Sequence, residues 1–148
     1  MDIEIKTFKE LDTATLYDIL QLRSSVFVVE QDCVYQDIDG IDKQALHIIL
    51  KKQGKIVAYT RCFGPGVYFK EASIGRVVVV KQERKNNYGH QIMKISLQAI
   101  LTNYNTQDIK LSAQKYLKEF YESHGFYKIG KGYLEDGIPH ILMGNRIN

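Results

Sequence analysis

The stretch that decides the fold of this chain is Glu83-Arg84-Lys85-Asn86-Asn87-Tyr88-Gly89-His90. It follows the apolar run Ile74-Gly75-Arg76-Val77-Val78-Val79-Val80 and leads into residues 91–104, whose apolar spacing is helical. The first N–H groups of a helix have no carbonyl partners, and the helix dipole adds positive potential there. A strand that passes through a basic turn into a helix therefore predicts an anion site, and a pyrophosphate is its natural ligand.

The composition is that of an ordinary globular protein. The chain has 148 residues, of which 45% are hydrophobic and 25% are charged, so we expect one domain, residues 1–148, with its own core. The net charge of +3 is only mildly basic. It suits a small anionic ligand better than a nucleic acid, which needs denser clusters of Lys and Arg. We therefore expect no nucleic-acid partner.

The chain shows neither a metal motif nor a membrane segment. Cys33 and Cys62 lie far apart, without a C-x-x-C pair or a His at ligand spacing, so no metal site is expected. The first residues alternate between polar and apolar, and no window approaches the ~20 apolar residues that a membrane span needs. We expect a cytoplasmic protein with reduced thiols and no membrane partner.

Hydrophobic periodicity predicts a mixed α/β sheet. The predicted strands cover residues 3–8, 45–52, 55–63, 72–80, 109–113, 127–134 and 138–145. The predicted helices begin at an N-cap at residue 12 or 13, and cover residues 88–104 and 116–124. Residues 26–29 are of ambiguous type, and residues 31–43 form a loop long enough to be functional. The resulting order is βα(α)βββαβαββ.

This order, with a pyrophosphate loop after a buried strand, resembles the GNAT superfamily of N-acetyltransferases. One shared motif is the loop R/Q-x-x-G-x-G/A, which reads Arg84-Lys85-Asn86-Asn87-Tyr88-Gly89 here. Asn87 replaces the middle glycine. Because Asn tolerates positive φ better than most residues, the loop loses little if it needs positive φ at this position. It loses room if the ligand must touch that backbone closely.

A second shared motif is Tyr-Glu-x-x-Gly-Phe at the end of a helix, present as Tyr121-Glu122-Ser123-His124-Gly125-Phe126. Gln114 stands near the start of that helix, where the superfamily often has Asn. Further stretches resemble the ElaA-type branch of the superfamily, so that the likeness covers nearly the whole chain. They are Leu22-Arg23, Val26-Phe27-Val28-Val29-Glu30-Gln31, Tyr35-Gln36, Tyr133-Leu134-Glu135-Asp136-Gly137-Ile138-Pro139-His140-Ile141 and Met143.

The resemblance implies the GNAT acyl-CoA N-acyltransferase fold, an α/β sheet with splayed central strands. It identifies the pyrophosphate carrier as coenzyme A and implies acetyl-CoA as the co-substrate. The acetyl group would pass directly to a primary amine of a small molecule or peptide. The branch does not define which amine.

The resemblance also implies which groups hold acetyl-CoA. Backbone N–H groups of the loop would cradle the pyrophosphate, with Arg84 as a charge-assisted donor. The backbones of Val77 and Val79 would pair with the pantetheine arm, and the N–H of Val79 would face the oxyanion. Gln114 would either contact the cofactor or cap its helix. The expected cofactor site is Val77, Val78, Val79, Arg84, Lys85, Asn86, Asn87, Tyr88, Gly89, His90 and Gln114.

Proton transfer needs an acid and a base. Tyr121 is the expected acid, since a phenol pKa of about 10 is close enough to a thiol pKa of about 8.5 for proton delivery; the alternative is a packed helix residue. The candidates for the general base are Glu30 and His140, with Asp136 as a third. The apolar run before Glu30 predicts partial burial and a raised pKa, whereas an imidazole suits proton transfer at neutral pH unshifted. Cys33 is expected to line the acceptor mouth without forming an acyl-cysteine.

Charge alone gives the first indication of the acceptor. Six acidic residues would form a rim attractive to a cationic amine such as a polyamine or lysine, or else lie solvated in loops: Asp32, Asp37, Asp39, Asp42, Glu135 and Asp136.

Two other functions stay open at this point. Arg23, Phe27 and the acidic segment 37–42 resemble acyl-homoserine-lactone synthases. Those enzymes usually have a tryptophan in their N-terminal substrate region, whereas this chain has no Trp. The replacement at Asn87 also leaves open a non-catalytic sensor module that binds acyl-CoA. A homodimer is a further open alternative.

Overall fold

Seven strands form one mixed sheet in the order β1-β2-β3-β4-β5-β7-β6. The structure, a computed structural model, describes residues 1–147. The strands are β1 (Asp2–Thr7), β2 (Leu46–Lys52), β3 (Lys55–Phe63), β4 (Ala72–Val79), β5 (Asp108–Gln114), β6 (Tyr127–Glu135) and β7 (Ile138–Arg146). The helices are α1 (Thr13–Arg23), continued by a π-helical turn (Ser24–Glu30), α2 (Tyr88–Tyr104) and α3 (Lys118–Glu122). Short 3₁₀ turns cover Phe8–Glu10, Asp42–Gln44, Lys81–Glu83 and Lys115–Leu117.

The predicted order of elements is confirmed. Helix α2 spans the predicted residues, and the observed strands differ from the predicted ones by at most one residue at an end. Asp12 caps α1, because its side chain accepts a hydrogen bond of 2.7 Å from the N–H of Thr15. Within residues 1–147 there is no helix both long and apolar enough to span a membrane.

Two helical segments differ from the sequence prediction. The ambiguous residues 26–29 belong to the π-helical turn, in which the N–H of Gln31 bonds to the carbonyl of Val26 at 3.1 Å. The wider turn keeps Val26 and Phe27 buried in the core. The predicted helix 116–124 is a 3₁₀ turn followed by the five-residue α3. Gly125 after it has φ +92°, the left-handed conformation that suits a glycine after a helix.

Helices cover both faces of the sheet. Neighbouring residues of a strand point to opposite faces, so Ile48 packs with α2 while Ile49 packs with α1. Ile92 of α2 and Ile19 of α1 are fully buried in these two layers. Burial of one such side chain contributes about 1.5–3 kcal/mol. The two layers together hold the central strands in place.

The sheet opens between β4 and β5. These parallel strands pair only at Ala72 with Ile109 and at Ser73 with Lys110. Beyond that point β4 carries a bulge, where Arg76 has φ +49° and the register against β3 shifts. A bulge bends its strand and increases the local twist. The later half of β4 therefore leaves β5, and a cleft lies between the two strands.

Candidate active site

A cavity of about 840 Å³ occupies the cleft between β4 and β5. Its walls come from β4, the loop 84–90, the end of β5, α3, β7 and the segment 26–36. The volume lies in the range of sites for small molecules and cofactors. The cavity therefore collects residues from both halves of the chain around the point where the sheet opens.

The edge of β4 offers unpaired amides to this cavity. The N–H of Val80 donates to the carbonyl of Val57 on β3 at 2.9 Å. Because successive N–H groups of a strand point to opposite sides, those of Val77 and Val79 point away from β3, into the gap. The N–H of Val78 points to β3, and its side chain is buried. The N–H groups of Val77 and Val79, the two predicted backbone contacts, thus face the cleft, whereas Val78 lines the cavity with its N–H turned to β3.

The start of α2 offers a second set of amides. Asn87 has φ +61° and ψ +18°, so the motif position that lost its glycine takes the left-handed conformation that Asn tolerates. The first helical bond runs from the N–H of Gln91 to the carbonyl of Asn87 (3.1 Å). Consequently the N–H groups of Tyr88, Gly89 and His90 have no helical partner. They form a donor set at the positive end of the helix dipole.

Fewer groups of the loop 84–90 are free to bind a ligand than the sequence indicated. The N–H of Asn86 donates to the carbonyl of Glu83 (3.2 Å), and its side chain donates to the Glu83 carboxylate (2.7 Å). Both groups close the turn after the 3₁₀ segment, so the expectation that the Asn86 amide faces the ligand is wrong. The side chain of Tyr88 is buried in the core. The side chain of Lys85 is exposed and is not part of the cavity wall.

Gly89 lies close to two other walls of the cavity. A Cβ atom placed on it would be 3.5 Å from Cε1 of Phe120 and 3.7 Å from Cγ2 of Val79. These are ordinary van der Waals distances, so a methyl group fits at this position. A longer side chain would extend into the space between α2, α3 and β4.

Tyr121 lies on α3 and lines the same cavity. It is 5% exposed, and its ring makes edge contacts with Phe120 and Phe126. Burial raises the pKa of Tyr121 above that of an ordinary phenol. The position fits the predicted acid, whereas the sequence argument from an unshifted phenol pKa is wrong, because the buried hydroxyl holds its proton more strongly.

Glu30 and Arg84 bind each other at the mouth of the cavity. Two hydrogen bonds of 2.6 and 2.9 Å join the guanidinium group to the carboxylate, and Nε of Arg84 donates to the carbonyl of Val79 at 3.2 Å. Glu30 is exposed, and the hydrogen bond from Arg84 lowers its pKa. The expectation that partial burial raises the pKa of Glu30 is therefore wrong.

Gln114 lies at the end of β5, and its side chain donates to the Oε1 of Gln31 across the cavity (3.3 Å). It makes no side-chain cap to the following 3₁₀ turn. The capping alternative for Gln114 is therefore wrong, and its amide lies on the cavity wall.

His140 lies on β7 between the other two C-terminal strands, opposite Gln114 of β5 and Tyr133 of β6. It is 7% exposed and lines the cavity. Its Nδ1 lies 2.7 Å from the carbonyl of Ile138, and its Nε2 lies 3.4 Å from Oε2 of Glu135. A predicted base candidate and a carboxylate are thus brought together in the cleft.

Comparison with known proteins identifies this arrangement. The family described as the acetyltransferase (GNAT) domain matches residues 12–146. The chain belongs to the GNAT family. ElaA of Escherichia coli K12 is 41% identical over 140 residues, which are 93% of this chain and 92% of that protein. The crystal structure of Escherichia coli ElaA superposes with a TM-score of 0.91 over 98% of this chain and 99% of that chain. The chain therefore lies in the ElaA-like branch, as predicted.

Two further structures extend the comparison. An acyl-CoA N-acyltransferase from Pseudomonas aeruginosa is 39% identical, with a TM-score of 0.91 over 98% of this chain and 99% of that chain. An aminoglycoside 6'-N-acetyltransferase complexed with coenzyme A has a TM-score of 0.76 over 100% and 98%, at 14% identity, and shows the fold alone. The GNAT acyl-CoA N-acyltransferase fold is thus confirmed, and the family is one of acyltransferases.

Three of the six residues of the predicted acidic rim are paired with arginines. Arg23 is fully buried and donates to Asp37 (2.9 Å) and Asp42 (2.6 Å). Arg61, also buried, binds Asp39 through two hydrogen bonds of 2.8 and 2.9 Å. Asp37 and Asp42 are neutralised inside the protein, and the exposed Asp39 is neutralised by its pair with Arg61. They fix the loop 31–44 to β3, and they do not attract a ligand.

Three residues of the GNAT cavity were not predicted from sequence. Tyr35, Tyr68 and Arg76 line the part of the cavity outside the loop 84–90. Arg76 donates to the carbonyl of Asp37 (3.0 Å) and lies over the ring of Tyr35. The signal for Arg76 was a charge inside the apolar strand 72–80. Tyr35 and Tyr68 lie in loops. Tyr35 belongs to the ElaA-like stretch Tyr35-Gln36, but nothing in the sequence placed it or Tyr68 in the cavity.

Proposed function

We propose that the chain is an acetyl-CoA-dependent N-acetyltransferase that passes acetyl directly to a primary amine of a small molecule or peptide. One observation carries the proposal. The outward amides of β4 and the free amides at the start of α2 open into a single cavity, which also holds Tyr121 and His140. A site with these parts can hold a long anionic thioester and exchange protons beside its reactive end.

The two amide sets fit the two ends of acetyl-CoA. The N–H groups of Tyr88, Gly89 and His90 suit a pyrophosphate, and Arg84 adds a cation once a phosphate competes with Glu30 for it. The N–H groups of Val77 and Val79 suit amide carbonyls of the pantetheine arm, as an added strand would. We assign the N–H of Val79 to the developing oxyanion, an interaction worth about 3 kcal/mol of barrier.

Acetyl-CoA supplies an activated thioester, and the chain supplies positioning and proton transfer. The lone pair of the neutral amine forms a bond to the acetyl carbonyl carbon, and the C–S bond breaks with its electrons on sulfur. Tyr121 delivers a proton to that sulfur and regains one from solvent. The burial of Tyr121 keeps its hydroxyl protonated until a thiolate forms.

Of the predicted base candidates we choose His140. Glu30 is bound by Arg84, and this bond lowers the pKa of the carboxyl, so it is a weaker base than an ordinary glutamate. His140 lines the cavity and presents Nε2 beside Glu135. Cys33 donates from Sγ to the carbonyl of Asp136 (3.4 Å) and takes no part in the transfer.

Calorimetry with acetyl-CoA, followed by a thiol-release assay with mixtures of primary amines, tests the proposed function. We expect saturable binding and amine-dependent release of thiol. Binding without release for any amine would favour the non-catalytic sensor, and absence of binding would reject the proposal. The acyl-homoserine-lactone alternative gains no support, because Arg23, Asp37 and Asp42, which suggested it, bind one another inside the protein.

A further inference from the structure

We propose that Glu135 and His140 form the site that binds the acceptor as an alkylammonium ion, from which His140 then takes a proton. This inference rests on the proposed function and names its substrate class. The class is primary amines on an alkyl arm without a neighbouring carboxylate, such as diamines, polyamines and the side chain of lysine.

The hydrogen bonds of His140 define what its free nitrogen can do. A carbonyl oxygen only accepts, so the contact of 2.7 Å with Ile138 places a proton on Nδ1. In the neutral ring Nε2 then carries the lone pair, 3.4 Å from Oε2 of Glu135. Two acceptors at this distance repel unless a donor joins them. One nitrogen can donate to both at ordinary hydrogen-bond lengths of about 2.9 Å, and a primary ammonium has the donors to do so.

Neighbouring side chains hold the carboxylate in this position. Ser112 on β5 donates to Oε1 of Glu135 (3.3 Å) and is hydrogen-bonded to the hydroxyl of Tyr133. The ring of Tyr133 stacks on His140, with 6.2 Å between centroids and an angle of 23°. Glu135 is therefore fixed through Oε1, while Oε2 stays available to a ligand. Such fixation lowers the entropic cost of binding a ligand.

The charge around the pair favours a cation. Asp136 lines the same wall and adds a second carboxylate. Arg61 and Arg76 are the cations of this part of the cavity, but their guanidinium groups already bind Asp39 and the carbonyl of Asp37. No lysine lines the cavity in the described part of the chain. A carboxylate next to the acceptor amine would meet this negative charge, which disfavours the α-amine of a free amino acid.

An aromatic wall completes the site. Tyr68 lines the cavity and stacks on Phe63, with 5.9 Å between ring centroids and 6° between planes. Burial and the charge of Glu135 raise the pKa of Tyr68. An aromatic face stabilises a cation and covers the methylene groups of an alkyl arm.

The proton balance of the transfer follows from this arrangement. The ammonium first gives one proton to Nε2 of His140, which releases it to solvent. The neutral amine then attacks the acetyl carbon, and the second proton lost by nitrogen balances the one delivered to sulfur. The products are an amide, a thiol and one proton.

The test compares 1,4-diaminobutane with glycine as acceptors in the thiol-release assay, for the intact chain and three variants. We expect kcat/KM to favour the diamine. Glu135→Gln should raise KM for the diamine about 10- to 100-fold, the loss of one charge-assisted hydrogen bond, with a smaller change in kcat. His140→Ala should lower kcat by about 100-fold or more, with partial rescue by added imidazole. Glu4→Gln, on β1 at the opposite edge of the sheet, is the matched control and should change neither value.

The outcomes separate this inference from the proposed function. Amine-dependent thiol release with an unchanged KM in Glu135→Gln, or with glycine preferred to the diamine, would overturn the inference and leave the acetyltransferase intact. A His140→Ala variant that loses activity without imidazole rescue, while still binding acetyl-CoA, would contradict the proton-transfer role. Absence of thiol release with every amine tried would defeat both proposals.

Discussion

Arg84 and Glu30 form a two-point ion pair across the cleft, with Nη1–Oε2 and Nη2–Oε1 distances of 2.6 and 2.9 Å. The pair joins the loop 84–90 to the end of the π-helical turn. It pairs the cation of the loop motif with Glu30, one of the three predicted base candidates. The same contact restrains the loop, and in the proposed mechanism it disfavours Glu30 as the base.

Glu30→Gln tests this view of the ion pair. We expect kcat to stay within about threefold of the original value, because loss of a true general base costs roughly 10²- to 10⁴-fold. Affinity for acetyl-CoA should be equal or higher, since Arg84 is freed for phosphate. Steady-state kinetics and calorimetry measure the two effects. A kcat that falls by two orders of magnitude would restore Glu30 as the base.

Gly89→Glu tests the position of the pyrophosphate. The side chain would bring bulk and negative charge to the free amides of α2, so we expect acetyl-CoA affinity to fall at least about 100-fold. Gly89→Ala is the control, because its Cβ would meet Phe120 at an ordinary 3.5 Å. Calorimetry on both proteins, with circular dichroism to confirm folding, makes the comparison. Equal affinity of the glutamate variant would show that the phosphates bind elsewhere.

Tyr121→Phe tests the acid. The ring contacts with Phe120 and Phe126 remain in this variant, so the fold and acetyl-CoA affinity should be retained. We expect kcat to fall by about 10²-fold, the lower range for loss of general acid catalysis. Thiol release at saturating substrates measures it. If turnover is unaltered, Tyr121 is a packing residue, the alternative that its sequence position left open.

Arg23→Ala tests the buried ionic network. Arg23 is fully buried between Asp37 and Asp42, and removing it takes one guanidinium partner from each carboxylate, leaving only Arg76 beside Asp37 and Arg61 beside Asp42. We expect the free energy of unfolding to fall by about 3–5 kcal/mol. Lys6→Ala is the control, since its pair with Glu4 is at the surface (3.7 Å, with the lysine side chain 38% exposed) and such pairs contribute about 0–1 kcal/mol. Urea denaturation gives both values, and similar losses would contradict a structural role for the network.

The burial of His47 leads to a prediction of how the stability of the protein depends on pH. It is fully buried, with its ring nitrogens 2.6 Å from the hydroxyl of Tyr59 and 2.9 Å from the carbonyl of Asp42. Burial lowers its pKa from the model-peptide value of 6.5. Below that value the unfolded chain binds more protons than the folded one, so stability falls as pH drops from about 7 toward the lowered folded pKa.

The measurement for His47 is the melting temperature between pH 7 and pH 5. His47→Gln should flatten this dependence, apart from a general loss of stability. The pKa of His124 is also lowered, first by burial, so His124→Gln serves as the comparison and should flatten it less, because that ring is only half-buried. An equally steep fall in His47→Gln would assign the dependence to other groups.

Local chemistry made several features of the fold predictable. Gln53-Gly54 and Asp136-Gly137 each link two consecutive strands, and each pair takes positive φ at both positions, as a tight hairpin turn requires. Asn87 was expected to accept a left-handed conformation and does so. These outcomes depend on the residue and its immediate neighbours. The sequence carries that information directly.

The active site depended on pairs that are distant in sequence. Glu30 meets Arg84 54 positions away, and Arg61 meets Asp39 22 positions away. The pattern of charges gave no way to decide which carboxylates would be neutralised. The prediction of an acidic rim was therefore wrong for Asp37, Asp39 and Asp42. The contact between Glu135 and His140 was not predicted.

The sequence by itself determined the order of strands and helices along the chain, because backbone preference and hydrophobic periodicity act over a few residues, and its motifs carried the resemblance to the family. Only the tertiary structure decided which amides face the cleft and which charges remain free to meet a ligand. Those properties depend on desolvation and on distances of a few ångströms between side chains, and the folded sheet sets both.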